Sequence, residues 1–266
     1  MVTIEDWAYA YIVSTTLADK LAPPPAPAAN AFAAPRAPLR VPAPGRPPEL
    51  VVTSRAKKAP KSFTSPRKRA EILHRFFHHE LQAAELMAWA ILAFPTTPPA
   101  FRRGLLQIAQ DEIRHANLYH TRIRELGCTL RDFPVRDWFW QRIPSCATPL
   151  SFCAVMGMGF ESANLDHAQR YEHAFRAAGD HESAELQARV ADEEIPHVRF
   201  AMHWFAQLSG APLSFEAWQA QLPPPLSPWV MRGMPLAEHA RTRAGQSAEF
   251  LRQLAAYAPQ QEPPTR

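Results

Sequence analysis

The sequence predicts an all-α fold, a four-helix bundle of two antiparallel helical hairpins with a Pro-rich N-terminal strap and an extra C-terminal helix. Three observations indicate it. Between residues 65 and 210, apolar side chains recur at the i, i+3 and i+4 spacing of amphipathic helices. Prolines and glycines interrupt this pattern where long helices should begin and end. Finally, a Glu-x-x-His motif occurs in the second helical segment, at 112–115, and again in the fourth, at 194–197.

Residues 1–64 are expected to form an N-terminal segment in front of the bundle. Residues 4 to 20 have the pattern of a short amphipathic helix, with Trp7, Tyr11 and Leu17 near one face. Ten prolines between residues 22 and 48 exclude a regular helix there. We therefore expect an extended linker, or a strap across the surface.

The bundle is predicted over residues 65–210. Ser65 and Pro66 suit the N-cap and first position of helix one. Gly127 and Gly179 suit the ends of helices two and three, and either Asp180 or Ser183 suits the cap of helix four. The four helices are expected at about 65–94, 98–127, 149–178 and 180–208.

Two segments lie outside these four helices. A crossover at about 128–148, rich in tryptophan and phenylalanine, joins the two hairpins. Residues 211–266 form the third region, in which a Pro-rich stretch precedes a last helix near 235–257.

Composition limits the class of protein. The chain is 47% hydrophobic and 20% charged, which is typical of a globular protein. The N-terminus lacks the pattern of a signal peptide, and no apolar run is long enough to span a membrane. The odd number of cysteines suggests reduced thiols, so we expect a cytoplasmic protein. These are Cys128, Cys146 and Cys153.

The net charge of +4 is partly local. Seven basic residues and no acid lie between residues 55 and 69. This basic segment could meet nucleic acid or another acidic partner, although a solvated segment leading into helix one is the favoured interpretation. Its members are Arg55, Lys57, Lys58, Lys61, Arg67, Lys68 and Arg69.

Helical phase separates the candidate metal ligands from chance matches. Each Glu-x-x-His motif lies in the apolar stripe of its helix, and Glu80 and Glu161 lie in the stripes of helices one and three. A third match, Glu71 to His74, is expected to face outward because Glu71 is about 180° from Glu80. Glu85 is about 140° from Glu80, so Glu80 is preferred. The resulting set is Glu80, Glu112, His115, Glu161, Glu194 and His197.

Spacing and charge favour a metal centre. The gaps from Glu80 to Glu112 and from Glu161 to Glu194 are 32 and 33 residues, so each pair should lie near one level of its hairpin. Buried carboxylates need compensating charge, and no Lys or Arg lies in these stripes near them. Two metal ions would supply this positive charge, and ligands of these types suit iron or manganese better than zinc. The alternative is a bundle that uses these groups as buried salt bridges and core histidines.

Four stretches carry a resemblance to a known family: HHELQAAEL, QDEIRHANLY, FESANLD and EEIPHVRF. They resemble the ferritin-like di-iron carboxylate superfamily and, more narrowly, its bacterial branch called domain-of-unknown-function family 455. The resemblance extends from the Trp7 segment through helix four. It implies a ferritin-like bundle in which the six residues above bind two iron ions. It also implies that Asp111 and Glu193 orient the histidine of the opposite motif.

Other residues near the motifs leave alternatives open. Pro196 lies inside the fourth-helix motif, where it could kink the helix and displace His197. Gly157 and Gly159 could leave room for dioxygen or substrate, although close helix packing is favoured. Tyr119, one turn beyond His115, is the candidate catalytic residue because it could hydrogen-bond a ligand or carry an oxidising equivalent. Packing is the commoner role for such an aromatic. Participation by Glu85 or Asp166 is left open.

The favoured function is a non-haem di-iron, or Fe/Mn, oxidoreductase that activates dioxygen to hydroxylate or oxidise a small organic substrate. The alternatives are a ferroxidase or iron-handling protein, a tRNA-modifying hydroxylase and a non-catalytic, metal-stabilised interaction protein. Only the basic segment supports the tRNA alternative. The electron donor and the oligomeric state, a homodimer included, are left open.

Overall fold

The computed structural model describes residues 2–28, 30–33, 37–54, 60 and 62–258. Within these ranges the regular secondary structure is helical, apart from one isolated bridge between Val52 and Val135. The all-α prediction is therefore confirmed.

The N-terminal region contains two short helices where the sequence predicted one. Helix α1 spans Ile4–Val13 and helix α2 spans Leu17–Leu21. The helix is interrupted between them because Thr16 has an extended backbone and its side chain caps α2 by accepting the N–H of Asp19. The described part of the strap has no helix and lies along the next long helix, where the Trp89 indole donates to the Val41 carbonyl at 3.2 Å.

Helices α3 (Pro66–Ala93) and α4 (Pro99–Glu125) form the first hairpin. The Ser65 side chain accepts the N–H of Lys68 and Pro66 is the first helical residue, as predicted. Gly127 ends the α4 segment with a φ of 76°. From residue 80 to residue 93 every residue of α3 is buried, so helical phase does not separate an inner from an outer face there.

The predicted third helix is continuous but not uniformly α-helical. It consists of α5 (Pro149–Phe152), a π-helix over Cys153–Glu161, and α6 (Ser162–Ala177). The two glycines of the π-helix are tightly packed: a Cβ on Gly157 would lie 2.1 Å from Ala201 Cβ, and one on Gly159 would lie 2.5 Å from Met231 Sδ. Close packing, rather than room for a ligand, explains them.

Helix α7 spans His181–Ser209. Of its two predicted caps, Asp180 fills the role, because its carboxylate accepts the Ser183 N–H at 3.0 Å. Pro196 lies within α7, and the helix continues through it without interruption.

The predicted C-terminal helix near 235–257 is divided in two. Helix α9 (Glu238–Ala244) and helix α10 (Ala248–Ala256) are separated at Gly245, which has a φ of 109°. A further short helix, α8 (Phe215–Gln219), was not predicted.

The chain divides into two compact units. The described residues of Met1–Pro144 and Ala174–Leu186 form the first, and those of Ser145–His173 and Gln187–Arg266 form the second. None of the helices in the described ranges is both long and apolar enough to cross a lipid bilayer.

Candidate metal centre

In the first unit, three of the six predicted ligands come together. Glu80 is on α3, Glu112 and His115 are on α4, and all three are at most 1% exposed. Each offers a ligand atom within 4.8 Å of the others. His115 Nδ1 lies 3.3 Å from Glu112 Oε2 and 3.9 Å from Glu80 Oε2. The first hairpin therefore brings its two helices to the same level at these residues, as the spacing predicts.

This group of two carboxylates and one imidazole could hold a metal ion. Carboxylate oxygens and imidazole nitrogens suit iron and manganese, and the three groups belong to two helices that are already packed together. The donor set and its burial therefore fit the metal chemistry that the sequence indicates.

Glu85, whose participation the sequence left open, belongs to a different buried cluster. Its carboxylate lies 2.8 Å from Lys20 Nζ and 2.5 Å from Arg46 Nη1, and it accepts the Trp140 indole N–H at 2.9 Å. Burial acts to raise the pKa of Glu85, but the two cations outweigh it and hold the pKa below its usual range. Two cations thus compensate the charge of Glu85, which belongs to this ion-pair cluster and not to the group that contains Glu80.

The third Glu-x-x-His match does not form a site. The Glu71 side chain is 27% exposed and lies 3.5 Å from Arg75, one turn along the helix. His74 is buried, and its Nε2 lies 2.9 Å from the Leu130 carbonyl oxygen. Burial lowers the pKa of His74 to about 4, so its ring is neutral at pH 7.

In the second unit, Glu194 and His197 lie one turn apart on α7, with His197 Nδ1 2.9 Å from Glu194 Oε2. Both are buried, as is Glu161 at the last position of the π-helix. Among the described residues of this unit, these three do not form a group as tight as the one on the first hairpin.

Asp166, also left open by the sequence, is held by other partners. Arg241 binds it through two hydrogen bonds of 2.7 and 2.8 Å, and the backbone N–H groups of Gly233 and Ala237 donate to it at 2.7 Å. No local sequence pattern indicates this pair, because its members are 75 residues apart.

Asp111 and Glu193 are each placed beside an arginine of their own helix. Asp111 lies 3.1 Å from Arg114, and Glu193 lies 3.0 Å from Arg189. Their side chains are 26% and 30% exposed. The expected orientation of the opposite histidines by these acids stays a prediction.

Tyr119 is fully buried and its ring stacks on Phe76, with centroids 5.6 Å apart and planes at 21°. Packing thus accounts for its position, and the catalytic role stays a prediction.

The basic segment lies largely outside the described residues, which include Arg67, Lys68 and Arg69 but not Arg55, Lys57, Lys58 or Lys61. Arg67 lies 2.9 Å from Asp132, and Arg69 lies 2.9 Å from Asp180. The three cysteines, all of them among the described residues, are buried, and none is in a disulfide.

Comparison with known proteins gives one match. Residues 7–252 match the model of the family described as "Protein of unknown function (DUF455)". No curated protein and no solved structure matches the chain. The matched residues include both Glu-x-x-His motifs, Glu80 and Glu161, and they confirm the narrower of the two resemblances. The chain belongs to the DUF455 family.

Proposed function

We propose that this chain is a ferritin-like, non-haem di-iron oxidoreductase that uses dioxygen to hydroxylate or oxidise a small organic substrate. The observation that carries the proposal is the buried group of Glu80, Glu112 and His115 on the first hairpin. A carboxylate from one helix and a Glu-x-x-His pair from the next form half of the ligand set typical of di-iron bundles.

The second half of the proposed centre is Glu161, Glu194 and His197. It is supported by the repeat in sequence order and by the burial of all three residues. Glu194 and His197 share a helix face, so both could reach one ion. A centre with four carboxylates and two imidazoles would neutralise two divalent ions and bind them without thiolates.

Bound iron would supply the redox chemistry that activates dioxygen. The chain's own residues would hold the ions, fix their separation and exclude water. We assign to Tyr119 the transfer of a proton or an electron, because it lies one turn beyond His115 on the same helix. Its burial would keep that transfer away from bulk solvent.

The test is metal counting in the full-length protein. Anaerobic loading with Fe(II), followed by removal of free ion, should give two iron ions per chain. Glu112→Ala should abolish this stoichiometry while keeping most of the helical circular dichroism, because it removes one ligand from a packed hairpin. Glu71→Ala, at the glutamate of the third motif, is the matched control and should bind iron normally.

Exposure of the iron-loaded protein to dioxygen distinguishes a ferroxidase from an oxidoreductase that acts on an organic substrate. Rapid oxidation of several further Fe(II) equivalents without an organic substrate would favour a ferroxidase. Oxygen uptake that requires an organic substrate and an electron donor supports the proposal. Two irons bound normally by Glu112→Ala would refute the ligand assignment.

A further inference from the structure

The π-helix that ends at Glu161 is held by residues far away in sequence. Its Ala154 carbonyl accepts the N–H of the buried Trp218 indole at 2.9 Å. The backbone N–H of Ser162 donates to the Gly157 carbonyl, five residues earlier, which is the hydrogen bond that defines a π-helix. The wider helical turn is therefore maintained by contacts from the C-terminal region as well as by its own backbone.

A chain of buried side chains meets the π-helix at the residue after Glu161. The Ser162 hydroxyl accepts the Gln246 side-chain N–H at 3.0 Å and lies 3.5 Å from the Gly157 carbonyl. Gln246 in turn accepts from Arg241 at 3.1 Å, and Arg241 is the guanidinium that binds Asp166. Ser162, Gln246, Arg241 and Asp166 are all at most 1% exposed.

We propose that Ser162 and Gln246 are positioning residues for Glu161, fixing the end of the π-helix from which its carboxylate reaches a bound metal ion. This inference rests on the proposed function, in which Glu161 is a ligand. A helix can shift between π and α hydrogen bonding by moving one residue in register, and such a shift at residue 161 would rotate its side chain away. The Gln246 contact opposes the shift because Arg241, itself fixed by Asp166, holds the Gln246 side chain.

This network meets the C-terminal region at the break between α9 and α10. Gly245 takes its φ of 109°, and the next residue, Gln246, reaches the π-helix. The C-terminal region is thus a support for the proposed ligand rather than a separate appendage of the bundle.

Mn(II) is a suitable probe, because the free ion is counted directly by electron paramagnetic resonance. We expect Ser162→Ala and Gln246→Ala to raise the dissociation constant for Mn(II) by about tenfold, the lower end of the range for residues that orient ligands. The double variant should lose less binding free energy than the sum of the two single variants, because both substitutions remove the same Gln246–Ser162 hydrogen bond. Gln253→Ala is the matched control, since Gln253 donates to the exposed Glu216 on the same C-terminal region and should leave binding unchanged.

Glu161→Gln, measured alongside, tests whether Glu161 is a ligand separately from whether Ser162 and Gln246 position it. If Glu161→Gln binds Mn(II) as the wild type does, Glu161 is not a ligand and the inference falls together with that part of the proposed function. If Glu161→Gln weakens binding but Ser162→Ala and Gln246→Ala do not, only the inference is wrong. A lower unfolding temperature with unchanged Mn(II) affinity would likewise show a purely structural role. Should Gln246→Ala not fold, Ser162→Ala alone decides the question.

Discussion

Replacing Glu85 by glutamine should strongly destabilise the protein but leave the proposed metal centre intact. The substitution keeps the shape of the side chain but removes the negative charge between Lys20 Nζ, at 2.8 Å, and Arg46 Nη1, at 2.5 Å. Asp137 remains beside Arg46 at 2.9 Å, so one buried positive charge is left uncompensated. Lys20 would keep its hydrogen bonds to the carbonyls of Tyr11 and Ile12, but these partners carry no negative charge.

Breaking a buried ion pair from one side costs about 3–5 kcal/mol. For domains of this size, that corresponds to a fall of roughly 10 °C in the unfolding temperature. Thermal unfolding of Glu85→Gln and of the double variant Glu85→Gln/Lys20→Met measures this fall in unfolding temperature. The double variant should lose less than the single one, because Lys20→Met removes the charge that Glu85→Gln leaves uncompensated.

Iron counting on Glu85→Gln gives the second readout. We expect two irons per chain, as in the wild type, whereas Glu80→Gln should lose them. An unfolding temperature unchanged by Glu85→Gln would refute the ion-pair reasoning. Loss of iron would show that Glu85, and not only Glu80, belongs to the metal centre.

Three further outcomes follow from the packing. Burial lowers the pKa of His74 to about 4, below its unfolded value of about 6.5, so the unfolded chain binds the extra proton as the pH falls. The free energy of unfolding should therefore fall by about 3 kcal/mol from pH 6.5 to pH 4. Urea unfolding should show a weaker pH dependence of stability for His74→Gln but not for the exposed His239→Gln. Gly157→Ala should cost about 1–3 kcal/mol in denaturant unfolding, and Ala201→Gly should relieve part of that loss, because the new Cβ would lie 2.1 Å from Ala201 Cβ. Pro196→Ala should raise stability by about 1 kcal/mol in thermal unfolding and leave the metal count unchanged, because α7 is already continuous and the substitution restores an N–H.

Local signals in the sequence were sufficient for the main helices. Ser65 and Pro66 begin α3, and glycines with positive φ end the second and third helical segments, because capping depends on residues within one turn of a helix end. The level pairing of Glu80 with Glu112 and His115 was also predictable, since a short turn fixes the register of a hairpin.

The features that local signals did not predict depend on contacts between residues that are distant in sequence. Phase favoured Glu80 over Glu85, but α3 is buried on every side at that depth. Tertiary partners distinguish the two acids: Glu85 meets Lys20 and Arg46, whereas Glu80 meets the Glu112 and His115 pair. The π-helix likewise depends on Trp218 and Gln246, which lie more than 50 residues from it in sequence. No periodicity within one segment encodes such contacts.

Both cations that compensate Glu85 belong to the first 50 residues, the part whose composition resembles a dispensable linker. A truncation beginning at residue 60 would therefore remove both counter-charges of Glu85, and the shortened chain would have to protonate this carboxylate or expose it to solvent. The many prolines reduce the conformational entropy lost when this segment becomes ordered. During synthesis, Lys20 and Arg46 leave the ribosome before their acid does, so the N-terminal segment can complete its folding only after α3 has formed.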